Sequence, residues 1–456
     1  MIRGFVQHIK LLYLAALALA LALALAWPPD LAAAPQNSAR AKTSTKSKKK
    51  GSQKQPAQQA APLPWPQNLL ALLGDGAVLV VDHHDPEKPG KALYAHNAEK
   101  PYVPASILKI VTSGAALEFL GPEYRFKTDF LLTRDKDLWV VGYGDPYLVS
   151  EELTTVVEAL QKRGLKEVRD LYLDNSFFEK DLILDGNTRT DSPFDAYNLA
   201  FGVNFNTVCF QKTKKGQVSK ASAHIPLTPL ALELAPKFKK AGVYRLNVSE
   251  SPGRAELHAG QTFQAHLEGA GIKVTGEIVL GRSAPLQRKV FYRHLSSRTL
   301  AAVVQDLMKY SNNFMTNQIF LALGAELYGA PATLEKSQKA MDAYFQKYNL
   351  APIVMGDGSG LSRQTTLTAS QMADVLAVVE ADRRLLVSRD DGQVFYKTGT
   401  MSDIKTLAGY IERPGEPERP LAFVILLNGH NFAAGARDKI LGLIKSEFAS
   451  APSAGR

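Results

Sequence analysis

Cysteine is almost missing from this 456-residue chain. Cys209 stands alone, so no intramolecular disulfide can form. Its neighbours Val208 and Phe210 give it the setting of a buried core thiol. Clustered metal ligands are lacking too. His83-His84 lies beside a turn and His430 follows Asn428-Gly429 at a strand end, which are surface or structural settings, so neither a metal nor another cofactor is expected. The glycine-rich run Gly356-Asp357-Gly358-Ser359-Gly360 has no lysine at phosphate-loop spacing, which leaves it as a turn. No internal repeat is present. Acidic residues desert the first 61 positions, where Asp30 faces nine Lys or Arg, and only +2 of the formal +10 remains for the rest of the chain. The basic character therefore describes the N-terminal tail and says little about the folded surface.

What that tail does contain is a signal. Arg3, His8 and Lys10 precede an uncharged Leu/Ala run over residues 11–27. A basic flank, an apolar run and small residues for cleavage at 24–26 or around 32–33 read as a secretory signal peptide. The same run approaches the ~20 residues that span a bilayer, so residues 1–34 are a signal peptide or an N-terminal anchor. Either way the remainder is exported, and a large exported chain without disulfides suits a bacterial periplasm or envelope. Residues 35–64 are Gln, Ser, Ala, Pro and Lys without apolar periodicity, which predicts a disordered basic linker. Its Lys46–Lys50 run suits electrostatic contact with anionic membrane lipid or cell-wall polymer, or a plain solvated tether. Nucleic acid is not an expected partner.

From residue 65 the chain has length for two or three domains. Period-2 runs predict strands over 76–81 and 91–94, and helical periodicity begins at Pro104 and ends at Gly121-Pro122. Residues 124–293 read as a mixed, β-rich module, short strands and turns with an amphipathic helix over 151–163, inserted into a domain made of 65–123 and 294–456. Helices are predicted over 297–309, 314–327, 334–348 and 368–379, then strands over 394–400, 406–412 and 421–427, and a last helix over 434–448. The pattern is an α/β (α+β) fold, one antiparallel sheet flanked by helices.

Three local patterns carry chemistry. Ser106 and Lys109 are three apart at a helix start, so the amine can approach the hydroxyl and take its proton. The spacing alone is common, and Ser47-x-x-Lys50 in the tail repeats it. Ser311-Asn312-Asn313 sits where capping residues interrupt a helical run. Lys397-Thr398-Gly399-Thr400 lies on a strand, where lysine reads as an edge charge and glycine as a place of close approach by something else, such as a ligand.

Taken together, Ser-x-x-Lys, Ser-x-Asn and Lys-Thr-Gly in that order resemble the serine β-lactamase/penicillin-binding superfamily. The long interval between Ser106 and Ser311 is similar to that of the D-alanyl-D-alanine carboxypeptidase/endopeptidase family, the low-molecular-mass class C penicillin-binding proteins. Gly144-Asp145-Pro146, 173–178 and 357–363 match the same family. The resemblance implies a transpeptidase-like catalytic domain with an inserted module. It also implies Ser106 as nucleophile, Lys109 as base and Ser311 as proton relay. Asn313, Lys397, Thr398, Gly399 and Thr400 would hold the substrate, with an oxyanion hole at the N–H groups of Ser106 and Thr400. Burial and the charge of Lys397 would deprotonate Lys109, while Lys397 stays charged for the substrate carboxylate. Peptidoglycan peptides are the implied substrates and β-lactam antibiotics the covalent inhibitors. Four features depart from the family, two of them lengths: the inserted module and the interval before Lys397 are both shorter than the family's. Asn312 replaces the usual Asp, and Ser192-Pro193-Phe194-Asp195-Ala196 replaces a tryptophan-rich segment. Asp195 there is either the acid that meets the amine of the substrate side chain or a helix cap. Two alternatives within the fold are a β-lactamase and a catalytically idle cell-wall-binding protein.

Overall fold

The computed structural model describes residues 67–84, 90–248, 252–284, 289–390 and 392–449. The signal or anchor and the basic linker lie outside them. In chain order, α1 (Gln67–Leu73) leads into the paired strands β1 (Ala77–Asp82) and β2 (Lys91–His96). A turn of 3-10 helix, Ala105–Ile107, then runs into α2 (Leu108–Leu120). The expected α-helical start at Pro104 is thus a tighter turn, in which positions i and i+3 eclipse, and Ser106 and Lys109 straddle its junction with α2.

The chain next builds three further sheets. It runs through β3 (Lys127–Leu132), β4 (Leu138–Gly142), α3 (Ser150–Lys162), β5 (Glu167–Val168) and β6 (Leu171–Asp174). There follow β7 (Thr207–Lys212), β8 (Val218–Ser219), α4 (Pro229–Leu234), β9 (Gly242–Asn247) and α5 (Pro252–Gly269). The short strands β10 (Lys273–Val274), β11 (Ile278–Val279) and β12 (Tyr292–Leu295) come last, and β10 pairs with β5 in a parallel two-stranded ladder of its own. Five strands in the order β11-β6-β4-β3-β12 form a mixed sheet, and β8-β7-β9 form a smaller antiparallel one. Phe130, Val140 and Leu173 of the larger sheet share a core with Leu153, Val157 and Leu160 of α3 and Ala259, Phe263 and Leu267 of α5. Helix α5 departs from the expected run of strands and turns. Its inward stripe is narrow and broken by Gly260, whose missing side chain leaves room for Ile278, 2.6 Å from where a Cβ would be. The single strand expected over 272–280 is two short ones.

The return to the first sheet runs through α6 (Leu300–Tyr310), α7 (Asn313–Tyr328), α8 (Leu334–Lys347) and α9 (Ala369–Val378). Strands β13 (Val387–Arg389), β14 (Val394–Met401), β15 (Ile404–Arg413) and β16 (Glu416–Asn428) follow, then α10 (Ala436–Ile444). The sheet order is β13-β14-β15-β16-β1-β2, antiparallel throughout. Here the expected antiparallel sheet flanked by helices is present. Period-2 alternation splits its residues between two cores. Ala422, Val424 and Leu426 of β16 face α2, α6, α7, α8 and α9, whereas Phe423, Ile425 and Leu427 face α1 and α10. Helices on both faces explain why β1 is buried along its whole length.

Candidate active site

The first motif sits on a pinned turn. Ala105 has a left-handed backbone (φ 48°), which disfavours a residue with a Cβ and persists because its surroundings fix it. The Thr406 hydroxyl of β15 donates to the Pro104 carbonyl at 2.6 Å. Two glycines let other segments close in. A Cβ on Gly399 would stand 2.1 Å from Thr406 Oγ1 and 2.8 Å from the Pro104 carbonyl, and one on Gly360 only 2.0 Å from the Ala105 carbonyl. The protein's own Ser106 turn makes a close approach at Gly399.

Lys109 is wholly buried. Its Nζ lies 3.0 Å from Ser106 Oγ, 2.8 Å from Asn313 Oδ1 and 2.7 Å from the Ser359 carbonyl. Burial first, and then the positive charge of Lys397, hold its pKa well below the usual lysine range, with Asp357 pulling the other way. Ser359 and Asp357 both belong to the glycine-rich segment, which is more than a turn. Its buried Asp357 carboxylate accepts backbone N–H groups of Ser359, Gly360, Leu361 and Ser362 at 3.0–3.2 Å, winding the loop around itself. Thr112 Oγ1 donates to the Gly358 carbonyl at 2.6 Å, and Gly358 N–H donates to Asn317 Oδ1 at 2.8 Å. The loop is thereby locked to α2 and α7. An Asp heading a Gly-Ser-Gly run is a sequence sign of such a side-chain-organised loop. The contact with Lys109 has no local sign.

Ser311 ends α6 in a left-handed conformation (φ 53°), and Asn312 caps α7 by accepting from Met315 N–H at 3.0 Å. The corner predicted at 310–313 is real, and capping is a job that Asn does as well as Asp. Lys397 Nζ donates to Ser311 Oγ at 2.8 Å and to the Thr398 carbonyl at 2.9 Å. Burial, with Arg437 second, pushes Lys397 down to about 7. That departs from the expectation of a fully charged lysine. No carboxylate pairs with its ammonium among the described residues. Strand β13 pairs with β14 only as far as Tyr396, so the Lys397–Met401 edge has no strand partner on that side among the described residues. Thr400 is exposed there.

Asp195 is placed elsewhere. It is fully buried, and its oxygens accept from Thr188 N–H and Oγ1 and from Thr190 N–H and Oγ1 at 2.5–3.2 Å. A carboxylate that satisfied inside its own loop has no face for a substrate amine and caps no helix. This corrects both sequence expectations for it. Arg437 carries the opposite lesson. Nothing about its spacing marks it, yet its guanidinium lies beside Gly399 and Thr400.

The order of motifs, the antiparallel sheet and the convergence of Ser106, Lys109, Ser311, Asn313 and Lys397 fit one family. Residues 74–229 and 245–386 match the D-Ala-D-Ala carboxypeptidase 3 (S13) family, and the chain belongs to it. A D-alanyl-D-alanine carboxypeptidase of Actinomadura sp. is 28% identical over 78% of this chain and 78% of its own length. Among solved structures, penicillin binding protein 4 from Haemophilus influenzae superposes with a TM-score of 0.67 at 21% identity, covering 82% of this chain and 94% of the other. The same protein complexed with a β-lactam gives 0.65 at 19% identity, covering 84% and 99%. At those identities the structures establish a shared fold, including the inserted module.

Proposed function

We propose that this chain is a serine-type D-alanyl-D-alanine carboxypeptidase that works through an acyl-enzyme at Ser106. One observation carries the reading. A neutral lysine amine has two N–H groups and one lone pair, and two of Lys109's three neighbours, Asn313 Oδ1 and the Ser359 carbonyl, can only accept. They fix both N–H groups. The third position, the lone pair, then faces Ser106 Oγ at 3.0 Å, the one neighbour able to donate a proton. The lowered pKa supplies the neutral form, and together they make Lys109 a general base for a serine nucleophile.

Ser106 Oγ attacks the carbonyl of the penultimate D-alanine as its proton passes to Lys109. The N–H groups of Ser106 and Thr400 receive the oxyanion, each worth about 2.7–4 kcal/mol in comparable sites. The proton moves on through Ser311 to the leaving amine, and water attacks the ester by the reverse path. Lys397, with Thr398, holds the terminal carboxylate, whose negative charge restores the full charge of Lys397. The same acylation would split a peptidoglycan cross-link, since only the leaving amine differs, so an endopeptidase activity accompanies the carboxypeptidase. A β-lactam would acylate Ser106. In this reading the chain is exported to a bacterial envelope, residues 65–123 with 294–456 are its catalytic domain, and 124–293 are inserted.

The test is incubation of the purified chain with muropeptides ending in D-alanyl-D-alanine. The reading requires released D-alanine from the wild type and none from Ser106→Ala. Rapid turnover of penicillin with untouched muropeptides would make it a β-lactamase, and silence on both an idle wall-binding protein.

A further inference from the structure

On either side of the Lys397–Thr400 segment stands a cation, and the sequence motif contains only one of them. Residues 395, 397 and 399 of β14 face the helical layer: Phe395 belongs to that core, Lys397 meets Ser311, and Gly399 meets the Pro104 turn. Residues 394, 396, 398 and 400 face the other way, where Val394 and Tyr396 pack with α10. Arg437, at the start of α10, lies on that second face. Its Nη1 is 3.3 Å from Thr400 Oγ1 and 3.5 Å from the Gly399 carbonyl. Neither contact uses the charge. No carboxylate pairs with the guanidinium among the described residues, and its Nε is buried without a hydrogen-bond partner. The guanidinium is close enough for its charge to depress Lys397 through the strand. An unpaired guanidinium next to a like charge costs stability, and an arrangement of that kind is expected where a ligand supplies the missing anion.

We propose that Arg437 is a specificity-determining residue: it and Lys397 grip the free α-carboxylate of the substrate's terminal residue from the two faces of β14. This rests on the carboxypeptidase reading above. The carboxylate lies at the open edge of β14, taking hydroxyls from Thr398 and Thr400, with one cation behind each face. A planar guanidinium offers a two-pronged contact that an ammonium cannot. The pair makes the site select chains that end in a carboxylate over chains whose end is amidated.

The experiment compares full-length wild type, R437Q and R437K on two peptides. One ends in D-alanyl-D-alanine and the other in D-alanyl-D-alaninamide, otherwise identical. The quantity read is the ratio of kcat/KM for acid over amide, which is internal to each preparation and insensitive to a partly misfolded fraction. The ratio should fall at least about tenfold in R437Q, the loss of one charged hydrogen bond, mainly through KM of the acid substrate. R437K, which keeps the charge, should lie between the two. A wild-type ratio retained in R437Q overturns the inference and leaves the carboxypeptidase reading standing, as does R437K falling as far as R437Q. Wild type that turns over neither peptide overturns both.

Discussion

Two buried lysines dominate the site at the scale of single residues, and both work against folding. Lys397 is held at about 7 in the folded chain against an ordinary value above 10. Between those pH values the unfolded chain holds a proton that the folded chain has given up. Stability from this group therefore rises as pH climbs from 7 through 10, and below 7 it is fully withheld, on the order of 5 kcal/mol. Lys397→Met and Lys109→Met should each raise Tm near neutral pH while removing activity, and thermal melts beside the D-alanine assay check this. Lower melting temperatures for both would contradict the burial cost. The same titration predicts kinetics. In the proposed function the charged form of Lys397 meets the substrate carboxylate, which predicts that kcat/KM falls above about pH 7. The alkaline limb of kcat should lie at higher pH, because the bound carboxylate stabilises the ammonium. Coincident limbs in the two profiles would argue that Lys397 does not touch that carboxylate.

At the scale of elements, the site is a meeting of a pinned turn, a glycine-rich loop, a helix corner and a strand edge. Gly399→Ala would place a methyl carbon against Thr406 and the Pro104 carbonyl, forcing the Ser106 turn off β14. The rate of acylation by a fluorescent penicillin should drop by at least about tenfold, whereas exposed sites such as Glu158 should tolerate Ala with no change. Asp195→Ala should behave as a structural lesion. It strips hydrogen bonds from Thr188 and Thr190 and should cost about 1–3 kcal/mol in denaturant melts, without altering the preference among muropeptide side chains. A changed preference at unchanged stability would return Asp195 to the binding site.

Those two residues show what sequence could and could not reveal. Ser106, Lys109, Ser311, Asn313 and Lys397 were legible because each lies on an element with a local signal: a helix start, a capped corner, a strand. Their order then constrained one another. Asp195 misled because a carboxylate near a plausible position says nothing about which N–H groups will reach it first. The Ser359 carbonyl and Arg437 were illegible for a different reason. The Lys109–Ser359 contact spans 250 residues, and its acceptor is a backbone atom that every residue type carries. Arg437 matters only because α10 packs under β14. Helix α5 escaped for want of a broad apolar stripe, its close approach to β11 being made by glycine.

For the whole molecule, the described residues form one compact unit with separate cores. The six-stranded sheet with helices on both faces carries every residue of the Ser106 site, and the five-stranded sheet has its own core. The long interval between the first and second motifs thus adds further sheets, the largest with a core of its own. The account as a whole stands on Ser106 being the atom that is acylated. Mass spectrometry of the intact chain after benzylpenicillin, followed by peptide mapping, tests it most directly. The account predicts one stoichiometric adduct on the peptide containing Ser106, absent from Ser106→Ala. An adduct on another residue, or labelling of Ser106→Ala at the wild-type level, would contradict it.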